Sequence, residues 1–271
     1  FDKVIFLIGS SNHHEINLKT TMGVDLNLYP LVKILAYLKN RKIKKFICFT
    51  TILLYDQKKM ILPVDEDQLI DPYINDYVFS KFLSEQIVHF YKDLIPSIIV
   101  RLSNIYGYTK LRRPDLVPTI MQDIFSKDNV TIWSDVPKRD FIFTEDAADA
   151  VLKLLNVDFT GTLNLGTGKM SSIKDITKII ENLSGKKIIS ENKRDDIHWR
   201  VAKFIFVSQN KNEVESYGLS EKSPIFFCFK QIFNKLKKAN RLDIFKKNID
   251  DKNEKVDFYK ILNEISIVGS T

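Results

Sequence analysis

Residues 44–51 read KKFICFTT. Two lysines give way to an unbroken apolar run that ends on two threonines. A half-exposed strand alternates apolar and polar positions, whereas an unbroken run suits a strand buried on both faces of a parallel sheet. VIFLI (4–8) and PSIIVRL (96–102) have the same character. Helix-length stretches separate these three runs. MGVDLNLYPLVKILAYLKNR (22–41) predicts a helix in which Pro30 either forces a kink or marks a late start. NDYVFSKFLSEQIVHFYKDL (75–94) predicts a second helix. Strand, helix, strand, helix in this order predicts a doubly wound α/β fold.

Downstream the pattern is less regular. YTKLRRPDL (108–116) reads as a loop, VPTIMQDIFSKD (117–128) as a helix and VTIW (130–133) as a short strand. RDFIFTEDAADAVLKLLN (139–156) predicts a strand, a cap at Thr144 and a helix. GTLNLGTG (161–168) holds a short strand, and SSIKDITKIIENLSG (171–185) is a helix with serine at its start and glycine at its end. Residues 236–271 read as a charged tail.

The chain has 271 residues, 44% hydrophobic and 28% charged, with 19 Phe and 10 Tyr, which is enough for a substantial core. The net charge of +7 comes from lysines scattered among acidic residues. Without an aromatic–basic motif it does not mark a nucleic-acid surface. No run of eighteen apolar residues predicts a membrane-spanning helix. Cys48 and Cys228 lie far apart, and Cys48 falls inside a strand. A buried free thiol in a cytoplasmic protein is the expectation, not a disulfide.

Tyr77 and Lys81 stand four residues apart, on one face of the second helix. A free tyrosine has a pKa of about 10. An ammonium roughly 5 Å away, at an effective dielectric near 20, favours the phenolate by about 3 kcal/mol. That is roughly two pKa units, enough to make a usable base. Thr51 ends its strand, and in a parallel sheet ligands sit at the carboxyl ends of the strands. A hydroxyl there suits a hydrogen bond to a substrate oxygen.

Eight segments extend this reading in order along the chain. DKVIFLIG (2–9) is followed by DLN (25–27) and KKFICFTTILLYD (44–56). PVDED (63–67) leads into DPYINDYVFSK (71–81), and RLSNIYG (101–107) follows. RDFIFTEDAADA (139–150) and NLGTG (164–168) complete the series. In this order they resemble the extended short-chain dehydrogenases/reductases, specifically the NAD-dependent nucleotide-sugar epimerases and dehydratases. The resemblance runs from residue 2 to about residue 190.

The resemblance implies a Rossmann-like doubly wound parallel sheet lacking its first strands, with a smaller C-terminal substrate lobe. Residues 1–108 and 139–167 would form the partial NAD-binding domain, 109–138 and 168–235 the lobe, and 236–271 the tail. It implies that Tyr77 is the acid/base for a sugar hydroxyl, that Lys81 holds the nicotinamide ribose and lowers the tyrosine pKa, and that Thr51 orients the hydroxyl. Ile8, Gly9 and Asn27 join Tyr77 and Lys81 on the cofactor side. Asn104 and Arg139 would meet the substrate diphosphate, the latter with planar bidentate donors. Tyr106 and Gly107 would shape a turn.

The expected cofactor is NAD, with NADP open, and the expected substrate is a nucleotide-diphosphate sugar. A homodimer is expected of the full-length protein, with no membrane or nucleic-acid partner. The related 4,6-dehydratases carry an Asp-Glu pair directly after the threonine, where this chain has Ile52 and Leu53. That favours an epimerase. A keto-sugar reductase or dehydratase is the enzymatic alternative, and a non-catalytic nucleotide-binding scaffold is the alternative of another class.

Several segments depart from the family pattern. LYP (28–30) replaces the usual Gly-Thr, and KRDDIHWR (193–200) and SQNK (208–211) match only loosely. NHHE (12–15) offers two histidines without a third ligand and is expected to be a substrate-side loop. GTGKMS (166–171) lacks the third glycine of a dinucleotide fingerprint. The family's glycine-rich loop and ribose-binding acid belong to strands that would precede Phe1, and an apolar first strand without its neighbour leaves an unpaired edge. The chain from Phe1 is therefore expected to bind NAD weakly or not at all. Calorimetric titration checks this, and tight stoichiometric binding would contradict it.

Overall fold

The computed structural model describes residues 1–19, 21–107 and 115–191. Most of loop 108–116, the segments 193–200 and 208–211, Cys228 and the charged tail lie outside the described residues.

In chain order, β1 (Lys3–Phe6) is followed by a short α1 (His13–Leu18), then α2 (Thr21–Gly23), a π-turn (Val24–Leu28) and α3 (Tyr29–Leu38). Next come β2 (Lys45–Thr51), a 3₁₀ turn (Ile52–Leu54), α4 (Asp76–Phe90), β3 (Ser97–Leu102) and β4 (Asn104–Tyr106). α5 (Leu116–Ser126), β5 (Val130–Ile132), β6 (Lys138–Arg139) and β7 (Phe141–Phe143) follow. The described chain ends with α6 (Thr144–Leu154), β8 (Gly161–Leu165), β9 (Ser171–Ser172), α7 (Ile173–Ser184) and β10 (Ile188–Ser190).

The chain divides into two compact units. Phe1–Ile105 and Lys138–Met170 belong to one, and Tyr106–Pro137 belongs with 171–191 to the other. The first holds a parallel four-stranded sheet in the order β1-β2-β3-β8. Thr51 is level with Leu102, and Leu102 with Leu165, so three strands end together.

Side chains alternate across β2, and each face of the sheet buries its own helices. Phe46 and Cys48 pack with Leu31, Leu35 and Leu38 of α3 and Val88 of α4. Ile47, with Ile98 and Val100 of β3, packs with Ala147, Ala150, Val151 and Leu154 of α6. Helices on both faces of a parallel sheet make the doubly wound arrangement that the unbroken apolar runs predict. Cys48 is buried and free, and burial pushes its thiol pKa up to about 12, with the negative charge of Glu85 adding to the rise.

In the second unit β5 and β10 pair in parallel. α7 buries Ile173, Ile176, Ile179 and Ile180, a 3–4 spacing that sets its apolar face. Ser172 and Asp175 form a reciprocal capping box, and Gly185 closes the helix at φ 69°, in the left-handed region that favours glycine.

Four local differences from the sequence reading have physical causes. β1 stops at Phe6, and Leu7 and Ile8 are exposed, because apolar content alone does not mark where pairing ends. NHHE does not form a loop: Asn12 caps a six-residue helix that begins at His13. Phe143, not Thr144, stands at the cap of α6, with no side-chain capping bond. Pro30 neither kinks nor delays its helix alone: the five-residue π-turn precedes it. Proline has no N–H to offer the carbonyl of Leu26, and the widened turn accommodates that loss.

Among the described residues no helix is long and apolar enough to cross a membrane. Leu35 is fully buried between α3 and the sheet. Leu35→Ala is expected to lower the unfolding free energy by about 2–5 kcal/mol, measured by urea denaturation.

Candidate active site

Just past β1, Gly9 has φ 149°, a conformation that side-chain-bearing residues rarely adopt. A Cβ at Gly9 would lie 2.9 Å from Asn27 Oδ1 and 3.7 Å from Lys81 Nζ. A bare backbone, an amide and an ammonium therefore converge at one point. Asn27 sits in the π-turn and is buried. Its Oδ1 accepts the Ser10 N–H at 2.7 Å, and its Nδ2 donates to Ser80 Oγ at 3.0 Å. Ser80 Oγ in turn donates to the Tyr77 carbonyl at 2.8 Å. One amide thus ties the loop after β1 to the first turn of α4.

α4 starts cleanly because Asn75 caps it, its Oδ1 accepting the Val78 N–H at 3.0 Å. The Tyr77 N–H donates to Asn17 Oδ1 of α1 at 3.1 Å. Tyr77 is 4% exposed and packs with Ile16, Leu53, Leu54 and Val78. Lys81 Nζ lies 5.9 Å from the centroid of the phenol ring. The His13 imidazole stacks on the same ring, with centroids 3.9 Å apart and planes 19° apart.

Thr51 ends β2, and its Oγ1 caps the 3₁₀ turn by accepting the Leu53 N–H at 3.2 Å. That bond uses one acceptor lone pair and leaves the O–H as a donor. Leu53, two residues on, belongs to the apolar cluster around Tyr77. Ile52 and Leu53 are both buried, so the wall next to Thr51 is apolar.

Asn104 follows β3, and its backbone N–H and its Nδ2 both donate to the Asp140 carbonyl at 3.1 Å. This places Asn104 beside the residue that follows Arg139, which is half-buried in β6. The Asp140 carboxylate is fully buried and receives the Thr167 N–H at 2.9 Å, the Thr167 hydroxyl at 2.6 Å and the Gly168 N–H at 2.8 Å. Successive backbone N–H groups of this kind make an anion cradle. Here the glycine turn at 166–168 closes on the chain's own carboxylate. Gly9, Asn27, Tyr77 and Lys81 therefore come together, as do Asn104 and the Arg139–Asp140 segment, while Ile8 points no buried surface at either, being 64% exposed.

Residues 1–166 match the sequence profile described as the NAD dependent epimerase/dehydratase family. This chain belongs to that family. It is 26% identical over 167 residues to an uncharacterized UDP-glucose epimerase, YtcB, of Bacillus subtilis, covering 59% of this chain and 51% of that protein. It is 25% identical over 190 residues to the GDP-mannose 3,5-epimerase of Arabidopsis thaliana, covering 66% of this chain and 48% of that one. The chain thus spans about half the length of the curated relatives it matches. The crystal structure of UDP-glucose 4-epimerase from Thermotoga maritima shares the fold at a TM-score of 0.73, with 17% identity over 87% of this chain and 78% of that one.

Around the candidate site lies a polar frame that sequence reasoning missed. Glu85 accepts from Arg101 Nε at 3.0 Å and Nη2 at 2.8 Å, and from Thr50 Oγ1 at 2.7 Å. Burial opposes the charge of Arg101, but the hydrogen bonds and attraction of Glu85 outweigh it and raise the guanidinium pKa above its ordinary value. The Arg101 guanidinium also sits 4.9 Å from the Tyr55 ring centroid and donates from Nη1 to the Glu66 carbonyl at 3.3 Å. Tyr55 donates to Asn164 Oδ1 at 2.7 Å, and Glu66 Oε1 accepts the Asn164 N–H at 2.6 Å. One signal for Glu85 was available: Tyr77, Lys81 and Glu85 recur at four-residue steps, so a carboxylate shares their helix face.

Breaking a buried ion pair from one side strands the other charge. Glu85→Ala is expected to cost about 3–5 kcal/mol in urea unfolding, and the apolar double variant Glu85→Leu/Arg101→Met to recover most of that loss.

Proposed function

We propose that the full-length protein is an NAD-dependent nucleotide-sugar epimerase, acting by removal and return of a hydride at one sugar carbon. The observation that carries this reading is the Tyr77–Lys81 pair set beside the Gly9–Asn27 cradle. The cradle suits a ribose of the cofactor: Gly9 leaves room, the ammonium of Lys81 would donate to ribose hydroxyls, and Asn27 holds the loop in place. Bound NAD supplies the hydride acceptor and donor.

The chain's own residues move the proton. The Tyr77 phenol oxygen takes the proton of the sugar hydroxyl as the C–H bond on the same carbon breaks, leaving a ketone. Lys81 lowers the cost of the phenolate state through its nearby positive charge. Thr51 Oγ1 donates to the same sugar oxygen and holds it. Tyr77 would give the proton back to the sugar oxygen once the opposite face of the rotated keto sugar is reduced. Arg139 offers planar donors to diphosphate oxygens, with Asn104 beside it.

Buried Ile52 and Leu53 support an epimerase over a dehydratase. Elimination of water needs an acid and a base next to the threonine, and neither side chain moves a proton. The family membership and the UDP- and GDP-sugar epimerases among its relatives support the substrate class.

Removing the phenol hydroxyl tests the reading. Tyr77→Phe is expected to lower the interconversion of UDP-sugars by roughly 10²–10⁴-fold, followed by chromatography of the sugar nucleotides. Unchanged turnover would contradict it.

A further inference from the structure

We infer that His13 is a positioning residue for Tyr77: its imidazole, stacked on the phenol ring, fixes the ring plane and so the direction of the hydroxyl. The inference rests on the proposed acid/base role of Tyr77. The stack has centroids 3.9 Å apart and planes within 19°. A plate against one face of a phenol blocks the χ1 swing that would carry its oxygen sideways. It also fixes the plane in which the phenolic O–H lies, a torsion that is otherwise broad.

His13 is itself held. Asn12 Oδ1 accepts the Glu15 N–H at 3.3 Å and starts α1 at His13. Ile16, one turn on, is fully buried in the cluster that contains Tyr77. Asn17 Oδ1 takes the Tyr77 N–H at 3.1 Å. The short helix therefore grips Tyr77 by backbone, by core packing and by ring face. The outer side of His13 is exposed, which an imidazole tolerates better than a hydrocarbon ring. This gives the NHHE segment a role that requires no metal.

Three variants of the full-length protein test the inference: His13→Ala, His13→Phe and, for assignment, Tyr77→Phe. With ¹³C-labelled tyrosine, the Tyr77 ring signals are those missing from Tyr77→Phe. In the wild type they are expected at ring-current-shifted positions, and in His13→Ala at the positions of an unstacked phenol, with unchanged far-UV circular dichroism. His13→Ala is expected to lower kcat about tenfold at a KM changed less than about twofold, in keeping with the sensitivity of catalysis to small misplacement. His13→Phe is expected to restore both the shifts and kcat, because it keeps the plate. Wild-type shifts or wild-type kcat in His13→Ala would overturn the inference, as would a His13→Phe enzyme as slow as His13→Ala. Failure of the wild type to turn over any nucleotide sugar would instead sink the epimerase reading, and the tyrosine signals would still decide whether His13 orders the Tyr77 ring.

Discussion

A buried ion pair holds the candidate site in register. Glu85 on α4 grips Arg101 on β3 with two hydrogen bonds and accepts a third from Thr50 on β2. Thr50 and Arg101 are themselves paired across the sheet. One carboxylate thus fixes α4 against β2, which ends at Thr51, and β3, which Asn104 follows. Burying both charges costs solvation, so the pair adds less net stability than its bonds suggest. Its value lies in geometry. α4 is pinned at Glu85, at Ser80 by Asn27 and at the Tyr77 N–H by Asn17. Tyr77 and Lys81 lie within that pinned stretch and inherit its rigidity.

The parallel sheet decides where this rigidity is useful. Gly9 follows β1, Thr51 ends β2, Asn104 follows β3 and the turn at 166–168 follows β8, so all four lie at the carboxyl ends of their strands. The two anion-friendly features there have different fates. The glycine turn after β8 is filled by the Asp140 carboxylate, which also aligns the backbone that meets Asn104. The bend at Gly9 is lined by Asn27 and Lys81. The π-turn before Pro30 takes part in this division, because Asn27 lies within it and its amide bridges Ser10 to Ser80. Wide turns of this kind recur at functional sites.

The elements with the strongest one-dimensional signals were legible in the sequence. The unbroken runs over 44–51 and 96–102 and the helical period over 75–94 match β2, β3 and α4 closely. α1 escaped because six residues are too short for a periodic signal, although Asn12 was a cap in plain view. The end of β1 escaped because Leu7 and Ile8 are as apolar as the strand before them. At the site, the spacing of Tyr77 and Lys81 and the order of the surrounding motifs were readable. The Glu85–Arg101 pair, the Asn27–Ser80 bridge and the His13 stack were not, since each joins residues that are brought together only by the fold.

The central claim is that one carbon of a nucleotide sugar loses and regains its own hydrogen while Tyr77 handles the hydroxyl proton. Isotope retention tests this most directly. The full-length protein would be given a nucleotide sugar deuterated at the carbon that inverts, and, separately, unlabelled sugar in deuterated water. The account predicts that the epimeric product keeps the carbon-bound label and acquires none from solvent, as read by mass spectrometry and NMR. Loss of the label to water, or a product that has shed the elements of water, would contradict it.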